Sequence, residues 1–452
     1  MKTLTPQIAW HNRERVCSLD WQPEAHPPLG SGPGLSRRLA TAGDDHHVVI
    51  WDVAFDLADG KPSIHCLCDL SRHQNSVNVV RWSGDGTLLA SGDTDSYIYI
   101  WHFPGKDAAP DIFGTLGESP VAAEDENRES WSVLKVLRGH LQDVVGLDFS
   151  PCNQYLISCS TDATAIIFDV KKGSKLKILT EHVGWVNGVV WDPLAKFVVS
   201  ICSDRCLRVY STKNYKQSVK TSKCKLALGV TSNEVEESDE KKVRLFHDDT
   251  FQSFFRRLAF SPDGELLVVP SGVLEVEGQA ETPHCTYVFS RTDFSKPVLY
   301  LPNREYSLAV RFNPLKYQLR ASPKHALSES NGGGMPTEGG KEPWETTNTL
   351  FCLPYRMIYA VATKTTVMFY DTQQALPFAR VSKIHYVGLT DLSWSPDGNV
   401  LMVSSTDGFC SFITFKDGEL GQVYTEEKEV KEPKETENKA ETIVQQPQAM
   451  ET

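Results

Sequence analysis

This sequence predicts an all-β protein: a seven-bladed propeller with acidic loop insertions and a disordered acidic tail. Three observations carry that expectation. A fixed pattern recurs along the chain. Between its marks run short alternating segments rich in Val, Ile and aromatics, bounded by turn signals such as "GDG" and "SPDG". A strand-like segment before the first repeat, TLTPQI at residues 3–8, is placed to pair with the last repeat and close a ring.

The repeats follow in order. Segment 73–101 reads HQNSVNVVRWSGDGTLLASGDTDSYIYIW, 140–168 reads HLQDVVGLDFSPCNQYLISCSTDATAIIF, and 182–210 reads HVGWVNGVVWDPLAKFVVSICSDRCLRVY. Each sets a His nine residues before an aromatic, then a turn, an apolar strand, an Asp, and an aromatic six residues after that Asp. Segment 11–52 matches with a wider middle loop and ends in Trp51-Asp52, while 385–413 keeps the first half closely. Two further units, 246–290 and 307–371, are degenerate. Counting 11–52, 73–101, 140–170, 182–210, 246–290, 307–371 and 384–415 gives seven, so residues 1–421 form one propeller. A recurring H…WD unit of this kind places the chain in the WD-repeat family, whose repeats fold as four-stranded blades.

Length and charge set limits. The chain has 452 residues and a net charge of −12, which argues against a general binder of DNA or anionic membrane and suits a basic partner. No apolar run approaches the ~18 residues of a membrane span. The start has no apolar stretch of the kind a secretory signal needs. Eleven cysteines are too sparse for a disulfide scaffold, so a reducing, intracellular setting is expected.

His11, Thr41, Asp45 and Trp51 resemble a catalytic set, but the set recurs. It returns as His73, Ser91, Asp95 and Trp101, as His140, Ser158, Asp162 and Phe168, and as His182, Ser200, Asp204 and Tyr210. A catalytic constellation occurs once; a repeated one satisfies buried polar groups and ties strands together. His65-Cys66-Leu67-Cys68 lacks a partner pair at zinc-site spacing, and no phosphate-binding glycine loop occurs. No enzyme, metal or cofactor is expected.

Function is therefore sought in loops. Insertions at about 104–130, 221–245 and 320–349 read as mobile surface loops, the second with five acids between Glu234 and Glu240. The tail, 422–452, is acidic and poor in apolar residues, with eight Glu against four Lys from Glu426 onward. The loop after each repeat His reaches one rim at Ser76, Asp143, Trp185 and Gly388, and at Phe254 in the fifth blade. Trp185, Asp248, Asp249, Phe254, Phe255, Arg256 and Arg257 are the candidate partner-binding residues, combining aromatic anchors with charges. Two internal readings stand beside this one: the aromatics pack on neighbouring blades, and the Asp pair neutralises the Arg pair. Arg256 falls at the inner-strand position of Asn78, which would put it at the central channel.

Several stretches in order, "IAWHN" at 8–12, "EHVGWVNGVVWDP" at 181–193, "HDDTFQSFFRRLAFSPDG" at 247–264, "LPYR" at 353–356, "YDTQQALPF" at 370–378 and "STDGFCSFITF" at 405–415, resemble the family of middle, WD-repeat subunits of chromatin assembly factor 1. The resemblance implies a nuclear, non-enzymatic member of a histone-chaperone complex. Its partners would be the large subunit of that factor, a small WD-repeat histone-binding subunit, and histones H3 and H4, met directly or through the complex. The complex deposits H3 and H4 during DNA replication and repair, with no membrane contact and no direct sequence-specific DNA binding by this chain. Members of that family often carry a C-terminal Arg-pair motif that docks the chaperone Asf-one; residues 421–452 contain no Arg. No basic cluster reads as a nuclear import signal. Two alternatives remain: the scaffold of a replication-independent histone chaperone, and a ubiquitin-ligase substrate receptor. For the receptor, the expected Arg two residues after the WD pair is missing, since Trp51-Asp52 is followed by Val53-Ala54.

Overall fold

The computed structural model describes residues 1–23, 37–55, 62–104, 127–226, 241–276, 282–320 and 350–425. Seven antiparallel sheets are formed, each built from consecutive strands except the last. The first blade runs Val16–Trp21, Arg37–Gly43, Val48–Phe55 and Pro62–Leu70 from the centre outward. The second holds Val77–Trp82 to Ser132–Leu137, the third Val144–Phe149 to Ser174–Leu179, and the fourth Val186–Trp191 to Gln217–Thr221. The seventh sheet closes the ring with the strand before the first repeat, which spans Lys2–Leu4 rather than 3–8 and pairs with Cys410–Thr414, Leu4 opposite Phe412. Thr5 Oγ1 lies 2.6 Å from Ser411 Oγ beside this seam.

The turn signals have a specific structural meaning. In "SGDG" and both "SPDG" turns the Ser hydroxyl donates to the Asp two residues on, as in Ser83–Asp85 and Ser395–Asp397, and it accepts the N–H of the strand that follows, Leu88 or Val400. Gly86, Gly264 and Gly398 adopt φ of +67°, +76° and +69°, the left-handed region a Cβ disfavours.

The core lies between neighbouring blades. Alternation sends one side of each strand toward the blade before and the other toward the blade after, so apolar clusters join adjacent sheets. Val199, Val209 and Leu207 of the fourth blade pack with Leu245, Leu258 and Tyr287 of the fifth. Trp10, Trp51, Met402 and Phe412 do the same across the closing seam.

Three expectations about the loops are corrected. The 221–245 insertion is partly strand: Lys223–Leu226 pairs with Lys241–Phe246, which joins the long strand Leu266–Val276, Phe246 opposite Gly272. Val243, Leu245 and Phe246 are fully buried there, which a solvated loop would not achieve. The end of the 104–130 insertion is anchored, because Glu129 is buried and its carboxylate takes a two-pronged contact from Arg38 and the Trp131 indole N–H. The tail begins as structure: Gln318 N–H donates to Gln422 O and Tyr424 N–H to Lys316 O, each at 2.8 Å, and Tyr424 packs on Tyr355. Residues 105–126, 227–240, 321–349 and 426–452, which hold the rest of these expectations, lie outside the described residues.

Candidate functional site

The repeated polar set forms hydrogen-bonded relays inside the blades. In the first blade the Trp51 indole N–H donates to Thr41 Oγ1 at 2.7 Å, Thr41 meets His11 Nε2 at 2.8 Å, and His11 Nδ1 meets Asp45 at 2.7 Å. The indole occupies the hydroxyl as acceptor, so the hydroxyl proton goes to Nε2 and the Nδ1 proton to the carboxylate. Trp101, Ser91 and His73 repeat this at 2.8 and 2.7 Å, and His140 meets Ser158 at 2.7 Å and Asp162 at 3.1 Å. Phe168 has no donor to offer, and Ser158 instead donates to Ile166 O.

Two members differ from the expected pattern. Asp93, not Asp95, closes the second blade's relay, 2.7 Å from His73 Nδ1; Asp95 is outside it and accepts from Asn75. The tight turn after Gly92 brings the earlier carboxylate inward, where it also caps the Tyr97 N–H. In the fourth blade Arg208 takes both oxygens of Asp204, at 3.1 and 2.5 Å. His182 keeps Ser200 at 2.8 Å and Tyr210 at 3.4 Å, but its Nδ1 has no partner among the described residues. Burial and the Arg208 charge together lower the His182 imidazole to about 4, so it stays neutral.

Around the central channel lies a cluster the sequence reading did not single out. The fully buried Asp391 accepts from Ser18 at 2.8 Å and Arg81 at 2.9 Å, and forms ion pairs with Arg257 at 3.0 Å and Arg311 at 3.9 Å. Burial alone would raise the Asp391 carboxyl, but Arg257, Arg81 and Arg311 hold it well below the usual range. Asp148 behaves oppositely: burial pushes it up to about 6 against the pull of the Trp191 N–H. Ser18, Arg81, Asp148, Arg311 and Asp391 lie on five different inner strands and Arg257 just ahead of the fifth blade's, so no sequence spacing could reveal their meeting.

The seven candidate partner-binding residues divide into two groups. Trp185 is 41% exposed and Phe254 50%, with ring centroids 5.8 Å apart, joining the rims of the fourth and fifth blades. A cleft of about 450 Å³ beside them is lined by Val183, Gly184, Ser203, Asp204, Arg205, Asp248 and Asp249 with Trp185. Asp248 accepts from Thr250, which holds its carboxyl below the ordinary range, and faces Arg205 at 3.7 Å. Asp249 is exposed and makes no ion pair among the described residues.

Phe255, Arg256 and Arg257 point inward instead. Phe255 is buried under the Arg257 guanidinium, 4.3 Å from ring to carbon. Arg256 is spent on backbone carbonyls of Cys202, His247 and Asp248, and burial lowers it to about 10. Arg257, not Arg256, reaches the channel, where it also donates to Cys17 O and Asn78 O. The cause is backbone pairing: Arg256 N–H donates to Asn187 O of the fourth blade, while Arg257 pairs in parallel with Ala309 of the sixth. Among the described residues no ion pair joins the Asp pair to the Arg pair; Asp248 touches Arg256 through its backbone carbonyl, and its charge acts on that guanidinium without contact.

The same rim carries apolar residues that sequence reasoning passed over. Leu141 is 87% exposed, Val183 83%, and Tyr386 fully exposed. Each directly follows a repeat His, in a loop that leads into an inner strand, and that adjacency was the available signal.

Comparison with known proteins agrees with this architecture. The CAF1B/HIR1 β-propeller domain family matches residues 1–420. The B subunit of chromatin assembly factor 1 from Gallus gallus is 40% identical over 423 residues, covering 93% of this chain and 69% of that protein. Its counterpart from Saccharomyces cerevisiae is 31% identical over 90% of this chain and 84% of its own length. Protein HIR1 of Kluyveromyces lactis is 26% identical over 86% of this chain and 41% of its own. A propeller that matches from its closing strand to its seventh blade belongs, with these relatives, to the CAF1B/HIR1 β-propeller family.

Proposed function

We propose that this chain is a non-enzymatic component of a histone-chaperone complex, a scaffold for deposition of histones H3 and H4 in replication- and repair-coupled nucleosome assembly. The observation that carries the reading is its 40% identity to the B subunit of chromatin assembly factor 1 along 93% of the chain. HIR1-type scaffolds share the propeller at only 26–28% identity, which favours the replication-linked reading over the replication-independent one. In this proposal the rim bearing Trp185, Phe254, Asp248 and Asp249 holds a partner of the complex. Exposed aromatics supply anchoring area and the carboxylates supply register against basic groups. The large subunit, a small WD-repeat histone-binding subunit and the histones are the partners expected, in the nucleus. The acids between Glu234 and Glu240 would help keep histone surfaces from nonspecific DNA contacts. Docking of Asf-one through an Arg-pair motif lacks its residues in 421–452.

The test is affinity purification of the tagged chain from S-phase nuclear extract, with Trp185→Ala/Phe254→Ala in parallel. Recovery of a large charged subunit, a second WD-repeat protein and H3 and H4 is expected. The double variant, still folded, should lose at least one of them by about tenfold or more. Recovery of cullin adaptors, or of no chromatin protein, overturns the functional reading. Unchanged recovery with the variant removes the rim from it.

A further inference from the structure

The outer strands of the second and third blades, Ser132–Leu137 and Ser174–Leu179, differ in character from the rest of this acidic molecule. Five of six residues in Ser174–Leu179 are exposed. Among them Leu176 and Ile178 are 46% and 41% exposed, and on the second blade's outer strand Leu134 and Val136 are 40% and 38% exposed. Lysines are interleaved with these apolar side chains. Lys175 lies across Gly139 at the end of the second blade's outer strand, and Lys135 lies across Gly173 before the third's. The ammonium groups of Lys135, Lys171, Lys175 and Lys177 form no ion pair among the described residues; Lys172 has Asp169 at 3.3 Å.

Ser174–Leu179 is also a free edge. It pairs with Ala165–Asp169 on one side, and no strand among the described residues pairs with the other. Proteins guard such edges with lysine, which repels self-pairing. Guarding alone would not place exposed Leu176 between Lys175 and Lys177 and exposed Ile178 just beyond them. The combination suits a partner that brings backbone, apolar side chains and negative charge together.

We infer that the outer edge of the third blade is a docking site for an extended acidic segment of a partner protein, added as a fifth strand. Main-chain hydrogen bonds along Ser174–Leu179 supply affinity, and side chains of alternate residues supply selection. The bulge at Leu176 sets Lys175 opposite Phe168 and Lys177 opposite Ile167, so acidic residues of the segment meet Lys175 on one face and Lys177 on the other, and its apolar residues cover Leu176 and Ile178. A second copy of this chain is disfavoured, because its own edge would bring lysine against lysine. A duplex is disfavoured too, because phosphate makes no use of exposed Leu176 and Ile178.

The experiment uses the full chain and a fluorescein-labelled peptide in which glutamate pairs alternate with leucine pairs, so that both faces carry acid, followed by fluorescence anisotropy. Three comparisons are made: a peptide with lysine in place of each glutamate, the acidic peptide with alternate backbone nitrogens methylated, and a short DNA duplex. The acidic peptide is expected to bind and the other three to bind at least about tenfold more weakly. Lys175→Glu/Lys177→Glu should weaken the acidic peptide by about tenfold or more while leaving the thermal melt unchanged. Hydrogen exchange on the unmodified chain should show protection at 174–179 when the acidic peptide is added. Equal binding by the methylated peptide, by the variant or by the duplex, or no protection at 174–179, overturns the proposal.

Discussion

Arg81 and Asp391, 310 residues apart in sequence, meet at 2.9 Å beside the central channel, and Arg257 reaches the same carboxylate oxygen at 3.0 Å. This one carboxylate joins the inner strands of the second and seventh blades to the segment ahead of the fifth blade's inner strand, so it links regions that close only when the ring is complete. Replacing it leaves three arginines buried beside one another without their shared counter-charge. Asp391→Ala is therefore expected to cost about 3–5 kcal/mol, measured by urea unfolding. The folded carboxyl is held low, so its stabilisation is whole above about pH 4 and is lost only as pH falls toward the folded value. The gap between variant and wild type should stay constant from neutral pH down to about pH 5.

Asp148 titrates with the opposite sign. The native state holds its proton up to about 6, whereas an unfolded aspartate releases it near ~3.9. Stability from this group is present in acid and falls as pH rises between those values. Asp148→Asn keeps an oxygen for the Trp191 N–H, 2.6 Å away, and removes the buried charge. The variant is expected to melt above wild type at about pH 8, with the difference closing toward about pH 4. A melt series across pH checks it.

The second blade distinguishes a structural Asp from a neighbour two residues on. Asp93 is 1% exposed and bonded to His73 and to the Tyr97 N–H, so Asp93→Ala leaves two buried donors unmatched. A loss of about 1–3 kcal/mol is expected. Asp95→Ala should change stability by no more than about 0.5 kcal/mol. Equilibrium unfolding of the two variants side by side decides between them.

The chain ends contribute through pairing rather than bulk. Removing residues 1–5 exposes the outer edge of Cys410–Thr414 and takes away Thr5 from Ser411. A lower melting temperature and self-association through the bared edge are expected, read by light scattering after size exclusion. Truncation after Leu420 should melt below truncation after Thr425, because only the longer chain keeps the Gln422 and Tyr424 backbone bonds to the sixth blade.

Much of this protein is determined by local patterning. Strand alternation, Ser-x-Asp-Gly turns and the spaced His and aromatic positions are short-range features, each readable within about ten residues. They specify the number of blades and the closing role of the first strand. They also expose the aromatic pair as a rim feature, since Trp185 holds a fixed offset from His182. What the tertiary structure decided is which side chains face inward where the repeat breaks down. In the fifth blade Lys241–Phe246 takes the upper edge of Leu266–Val276, so residues 254–257 leave their own sheet and pair with both neighbours. That displacement sends Phe255, Arg256 and Arg257 into the core and leaves Phe254 in solvent. The charges gathered on Asp391 have another origin: a seven-fold ring brings distant inner strands within ångströms of one another, and contacts made by closure leave no period in the sequence.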